Sequence, residues 1–239
     1  MKQHEAVIQT LEKLGGKATL AQLYREVMKV EDCMWETKTP FASIRRIVQT
    51  RPEIFKILPG LWALEIYRKK FGVEKSNKES REIQEETHSY YQGVLINIGN
   101  LKGFQTYSPQ QDKNKIYVDR TLKEIRTLQE IPAYSHGELV KRSETIDVIW
   151  FNERLMPNSF FEVEHSTGIQ NSLMKFCDLQ DFSTRMFIVA DKNRRREFEQ
   201  KAGYKLFKDV ANRVKFVDYE SIVKQYEVEV VRVNHKQWL

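Results

Sequence analysis

Along the first third of the chain, apolar residues recur at helical spacing and then give way to two short apolar runs. Ala6, Val7, Leu11 and Leu14 share one helical face, and Gly15-Gly16 end that pattern. Thr19 is placed to cap a second helix with Leu20, Leu23, Tyr24 and Val27 on its apolar side. After a polar loop reaching Pro40, residues 42–49 form a third helix. Its Ile44, Ile47 and Val48 face inward, and Arg45, Arg46 and Gln49 face outward. Residues 54–58 and 61–64 then read as two strands around a Pro59-Gly60 turn.

A charged stretch follows over 68–82, poor in apolar residues, and is expected to be a linker. It separates a first domain, 1–67, from a second, 83–239. The second domain opens with a helix over 80–101 carrying Tyr91, Leu95, Ile98 and Leu101, followed by a strand over 103–107. Residues 118–128 are expected to be helical and 131–134 a loop. Residues 146–151 and 159–165 are rich in β-branched and aromatic side chains and read as strands, joined through a polar turn that contains Pro157. Ile169, Leu173, Phe176 and Leu179 make a helical stripe, and 186–190 is a wholly apolar strand. Strand, helix, apolar strand implies a crossover and a sheet covered on both faces. Strands over 214–217 and 228–233 are expected to flank a helix over 219–225. The fold class expected is α+β to α/β, with a mixed sheet in the second domain.

Composition narrows this picture in three ways. At 239 residues, 41% of them hydrophobic and 11% aromatic, the chain can build a core in one or two domains. No apolar run is long enough to cross a membrane, and the polar start does not resemble a secretion signal. Cys33 and Cys177 are isolated, which fits free thiols in a reducing cytoplasm. The net charge of +6 is uneven: residues 1–70 hold 13 Lys or Arg against 8 Asp or Glu. The polyanion-binding signal therefore lies in the first domain, where Arg45, Arg46, Gln49 and Arg51, with Ser43, offer donors suited to phosphates and base edges.

Candidate chemistry sits in the strands over 146–151 and 159–165. Side chains alternate along a strand, so Glu162 and Glu164 share one face, and Asp147 lies in the neighbouring strand. Three buried carboxylates are costly unless something neutralises them. A divalent cation does so, and oxygen-only ligands suit Mg²⁺, Mn²⁺ or Ca²⁺ rather than zinc. The alternative is an exposed edge hairpin with surface glutamates, which the apolar flanking positions disfavour.

Asp147, a fourteen-residue gap, and Glu162-Val163-Glu164 together resemble the motif of the PD-(D/E)xK nucleases. The chain departs from that motif at Ile146, where Pro is common, and at Glu164, where Lys is usual. The resemblance implies a metal-dependent phosphodiesterase with Asp147 as central metal ligand and Glu162 as second. Glu164 would be a general base or a further metal ligand, and Lys175 on the next helix a candidate for the missing Lys. The first core helix of that family often adds an acid, for which Glu86 is preferred over Glu85. His88 and Gln92 on that helix could reach the site or face solvent. His165 is a candidate proton acceptor or DNA contact.

Residues 14–20, 42–46 and 60–64 of the first domain resemble the HARE-HTH type of winged helix. That resemblance implies DNA binding through the third helix, with possible sensitivity to base modification. The combination resembles a type II restriction endonuclease acting on double-stranded DNA with Mg²⁺, as a homodimer matched to a palindromic site. Two other readings fit the same residues: a DNA-binding regulator with an inactive nuclease-like domain, and a repair or transposon nuclease.

Overall fold

A computed structural model describes residues 1–71, 81–165 and 168–236. The chain divides into two compact units, Met1–Lys78 with Val223–Leu239, and Glu79–Ile222. Of the linker expected over 68–82, residues 72–80 lie outside the described residues.

The first unit contains α1 (Gln3–Lys13), β1 (Lys17–Thr19), α2 (Leu20–Glu26), α3 (Pro40–Thr50), β2 (Ile54–Leu58) and β3 (Leu61–Leu64). Its sheet runs β1-β3-β2, with both pairings antiparallel. Gly15 and Gly16 take φ of 82° and 92°, a region open to glycine, and so turn the chain from α1 into β1. Thr19 caps α2 reciprocally: its Oγ1 accepts from the Gln22 N–H at 3.0 Å, and its own N–H donates to Gln22 Oε1 at 2.8 Å. Pro40 begins α3, where its missing N–H costs nothing. Strand β1 was not expected from the sequence; three residues are too few for alternation to register.

The second unit contains α4 (Arg81–Leu101), β4 (Gln105–Tyr107), β5 (Ile116–Tyr117), β6 (Arg120–Thr121), α5 (Leu122–Ile125) and α6 (Gly137–Ser143). Then come β7 (Val148–Phe151), β8 (Pro157–Glu164), α7 (Ile169–Asp178), β9 (Arg185–Ala190), α8 (Arg195–Ala202), α9 (Lys208–Ala211) and β10 (Val214–Asp218). α10 (Tyr219–Lys236) begins in this unit, and its later turns belong to the first.

The main sheet is mixed, in the order β10-β9-β8-β7-β4. β8, β9 and β10 are parallel, and β7 and β4 pair antiparallel. Ile149, Phe151 and Phe160 pack with Ile169, Leu173 and Phe176 of α7 in one buried cluster. Trp150 points to the other face, where its Nε1 donates to Leu95 O of α4 at 3.0 Å. Gly99 permits that close approach: a Cβ there would fall 2.6 Å from Trp150 Nε1. The sheet is thus covered on both faces, as the crossover pattern implies.

Two expectations fail. The helix expected over 118–128 shrinks to α5, because Val118 adopts φ 58° and turns a short β5–β6 hairpin that delays the helix to Leu122. The strand expected over 228–233 is instead the continuation of α10. Ile222, Val223, Tyr226 and Val230 are buried at helical spacing, and this stripe overrides the β-propensity of the valines.

Candidate active site

The antiparallel pairing of β7 with β8 assembles the acidic site. Val148 lies opposite Phe161, so Asp147, the residue just before β7, falls beside Glu162. The Asp147 N–H donates to Glu162 Oε1 at 3.3 Å, and the Val163 N–H donates to Asp147 Oδ2 at 2.7 Å. Glu162 and Glu164 are only 2% and 3% exposed and project towards α7. There the Ser172 hydroxyl meets both, at 3.0 Å from Glu162 Oε2 and in a shorter contact with Glu164 Oε1.

Lys175, one turn further along α7, donates to Glu162 Oε1 at 3.0 Å and Oε2 at 2.8 Å, and to Thr145 O at 2.8 Å. Arg194 Nη1 stands 3.9 Å from Glu164 Oε2 and donates to His165 O at 3.2 Å. From α4, His88 Nε2 lies 3.2 Å from Asp147 Oδ2. The Gln92 amide nitrogen donates to Asp112 Oδ2 at 2.9 Å and to Asp147 O at 3.3 Å. One donor atom each from His88, Asp112 and Asp147 lie within 4.8 Å of one another, a group able to hold a metal ion.

These contacts shift the protonation of the site. Burial and the neighbouring Asp147 carboxylate push Glu162 up to about 8. Burial also opposes ionisation of Asp147, but His88, Lys175 and the Val163 N–H more than reverse that and hold it below the usual range. Burial lowers Lys175, and Glu162 and Asp147 outweigh it, leaving the ammonium firmly charged. His88 is raised on balance, since Asp147 outweighs its burial, whereas burial and Arg194 lower His165.

A raised Glu162 binds its proton more tightly in the folded chain than in the unfolded one. The stability it contributes is complete below its ordinary value of 4.5 and is lost as pH rises through about 8. His88, raised from 6.5, adds a slope of the same sign. In EDTA the melting temperature is expected to fall by several degrees between about pH 6 and about pH 9, with Glu162→Gln removing most of that fall. A melting temperature that rises across this window would contradict the assignment.

Of the residues singled out in the sequence, the structure brings Asp147, Glu162, Glu164 and Lys175 together. Glu86 and Glu85 are exposed. Glu86 precedes His88 by two helical positions, about 200° around α4; His88 reaches the Asp147 carboxylate and Gln92 its backbone carbonyl. His165 follows β8 directly, with its ring near that of Tyr219, 6.5 Å between centroids. Asp112 was missed: it closes a short 3₁₀ turn with no periodic signal to mark it.

In the first unit, Arg46 and Gln49 of α3 are exposed, Ser43 of α3 is half-buried, and so is Arg51, the residue just after the helix. Arg45 hydrogen-bonds Tyr24 Oη at 3.3 Å and pairs with Glu227 of α10.

Residues 71–235 match the family model of the C-terminal domain of the type II restriction enzyme NmeDI. The chain belongs to that family. The type II restriction enzyme NmeDI of Neisseria meningitidis serogroup C is 30% identical over 156 residues, which make up 61% of this chain and 44% of that enzyme. The chain thus spans less than half the length of this relative. No solved structure matches. The family match takes in α4, all five strands of the main sheet and every residue of the acidic site. No described helix is long and apolar enough to cross a membrane.

Proposed function

We propose that this chain is a restriction endonuclease of the PD-(D/E)xK type that hydrolyses double-stranded DNA with Mg²⁺. The observation that carries this reading is the convergence of Asp147, Glu162 and the Lys175 ammonium at the adjoining ends of β7 and β8, within the stretch matched by a restriction-enzyme family. The motif position normally held by Lys is Glu164, and Lys175 brings the same charge to the same carboxylate from α7.

The donor set suits a hard or borderline cation. Asp147 is anionic and partly accessible, and one donor atom each of His88 and Asp112 lies within 4.8 Å of it. Asp147 would be the central ligand, with Glu162 next to it and Glu164 as a further acid. A divalent cation there supplies an acidified water and positive charge at the phosphoryl oxygens. Lys175 fixes Glu162 and offers a proton-bearing cation to the attacking water or the phosphate. Ser172 holds the two glutamates in register. Glu86 and His165 remain candidates for accessory proton transfer or DNA contact from α4 and the end of β8.

The first unit supports a DNA-reading role as a winged helix of the HARE-HTH type, with residues 1–67 as its domain and 83–239 as the nuclease domain. Ser43, Arg45, Arg46, Gln49 and Arg51 would meet DNA, with Arg45 first released from Glu227. A homodimer would place one site on each strand of a palindromic target. Arg46→Ala combined with Gln49→Ala alters only exposed side chains. We expect it to weaken DNA binding at least about tenfold and to flatten the dependence of affinity on salt by about one phosphate contact. Unchanged affinity would move recognition elsewhere.

The reading as a whole is tested by incubating methylated and unmethylated long DNA with the protein and Mg²⁺. Discrete fragments are expected from at least one of the two, and the difference between them reports any sensitivity to base modification. Tight binding without cutting of either would favour a DNA-binding regulator.

A further inference from the structure

The Glu162 and Glu164 carboxylates are already engaged within the protein. Both oxygens of Glu162 face Lys175, and Glu164 is tied to Ser172 and flanked by Arg194. A second group of donors surrounds Asp147 on its α4 side. His88 presents Nε2 at 3.2 Å from Asp147 Oδ2. Asp112 is 3% exposed, and its Oδ1 is paired at 2.6 Å with Lys115, whose side chain is one-third exposed. Gln92 is wholly buried. Its amide nitrogen faces two acceptors, Asp112 Oδ2 and Asp147 O, which fixes the orientation of the amide. Its Oε1, and the Nδ1 of His88, are buried without partners among the described residues. Leaving a buried acceptor unmatched is unfavourable, so the burial of Gln92 Oε1 marks a polar pocket beneath Asp112 and Asp147.

We propose that His88 and Asp112 complete the coordination of the divalent cation at Asp147, giving a mixed nitrogen and oxygen donor set. This rests on the nuclease reading of the site and goes beyond its aspartate and glutamate ligands.

Distances support it. Around an octahedral ion with bonds of about 2.1 Å, neighbouring donors lie about 3 Å apart and opposite donors about 4.2 Å apart. The His88, Asp112 and Asp147 atoms, all within 4.8 Å of one another, need only a small contraction to reach that geometry. Nε2 now faces the Asp147 carboxylate, and a cation between them would take the place of that hydrogen bond, with the proton moving to the unpartnered Nδ1. The chemistry has a consequence for selectivity. Imidazole nitrogen favours first-row transition ions over Mg²⁺, which prefers oxygen donors and keeps its waters. Mn²⁺ is therefore expected to bind the full-length protein, without DNA, at least about tenfold more tightly than Mg²⁺ competes for the same site.

Mn²⁺ also reports its own ligands. Pulsed electron paramagnetic resonance of the Mn²⁺-loaded chain should show coupling to a directly bound ¹⁴N nucleus. His88→Gln should abolish that coupling, and Asp112→Asn should weaken Mn²⁺ binding roughly tenfold or more. The wild-type spectrum needs no variant, so misfolding cannot mask the result. Mn²⁺ bound without nitrogen coupling, or no Mn²⁺ binding, overturns the proposal; unchanged affinity in Asp112→Asn removes Asp112 from it. Because DNA is absent, these outcomes are separate from the nuclease reading, which fails only if no conditions yield cleavage.

Discussion

Replacing Asp147 with Ala is expected to reduce DNA cleavage by about a thousandfold or more while leaving DNA affinity within a few-fold of wild type. The side chain sits where three elements meet. It accepts from the Val163 N–H on β8, faces His88 on α4, and lies beside Glu162 through its own backbone N–H. Neither Glu162 nor Glu164 can take over this position, since both are turned towards Ser172 on α7. Alanine leaves the Val163 N–H without its acceptor, so part of any defect could be a loosened β7–β8 junction. Asp147→Asn separates the two effects: it keeps an oxygen for Val163 but removes the negative charge. We expect the Asn variant to fold with near-native stability and to remain as inactive as the Ala variant. Near-wild-type cleavage by either variant, measured as single-turnover rates at saturating DNA, would remove Asp147 from the chemistry.

The second large effect is expected at Lys175. Replacement by Met retains the length of the stem and removes the ammonium that holds both oxygens of Glu162. Cleavage should fall by about a hundredfold or more, equivalent to roughly 2.7 kcal/mol or more of transition-state stabilisation. Removing one partner of a buried ion pair commonly destabilises a protein by about 3–5 kcal/mol. Here the loss should be smaller, because Glu162 already titrates near 8 and can take up a proton when its counter-charge is gone. Arg at this position should not restore activity, since its planar fork cannot reproduce a single ammonium bonded at once to Glu162 and Thr145 O. A Lys175→Met protein that cuts within a few-fold of wild type would make this residue a structural counter-ion only.

How much of this was legible in the chain depended on whether a residue lay on a regular pattern. Alternation alone placed Glu162 and Glu164 on one face, and their shared contact with Ser172 agrees. The stripe of Ile169, Leu173 and Phe176 located α7, and Lys175 lies on the part of that helix turned towards β8. The first core helix was legible as an element but not in its rotation. A two-residue difference carries a side chain about 200° around the axis, which separates exposed Glu86 from His88 at the site. Asp112 could not be found from pattern because it lies in an irregular segment between β4 and the β5–β6 hairpin. Its position follows only from the buried amide of Gln92. The valines after Tyr226 misled for the opposite reason, since a local β-branched run carried less weight than the helical burial stripe already begun at Ile222.

The central claim is that this acidic site cuts DNA with a bound divalent cation. The most direct test follows a long unmethylated DNA with the wild-type protein in Mg²⁺, then in excess EDTA, then with Mg²⁺ restored. Discrete fragments in Mg²⁺, none in EDTA, and their return on restoring Mg²⁺ is the predicted result. Cleavage that persists unchanged in EDTA, or intact DNA under all three conditions and with Mn²⁺ in place of Mg²⁺, would contradict it.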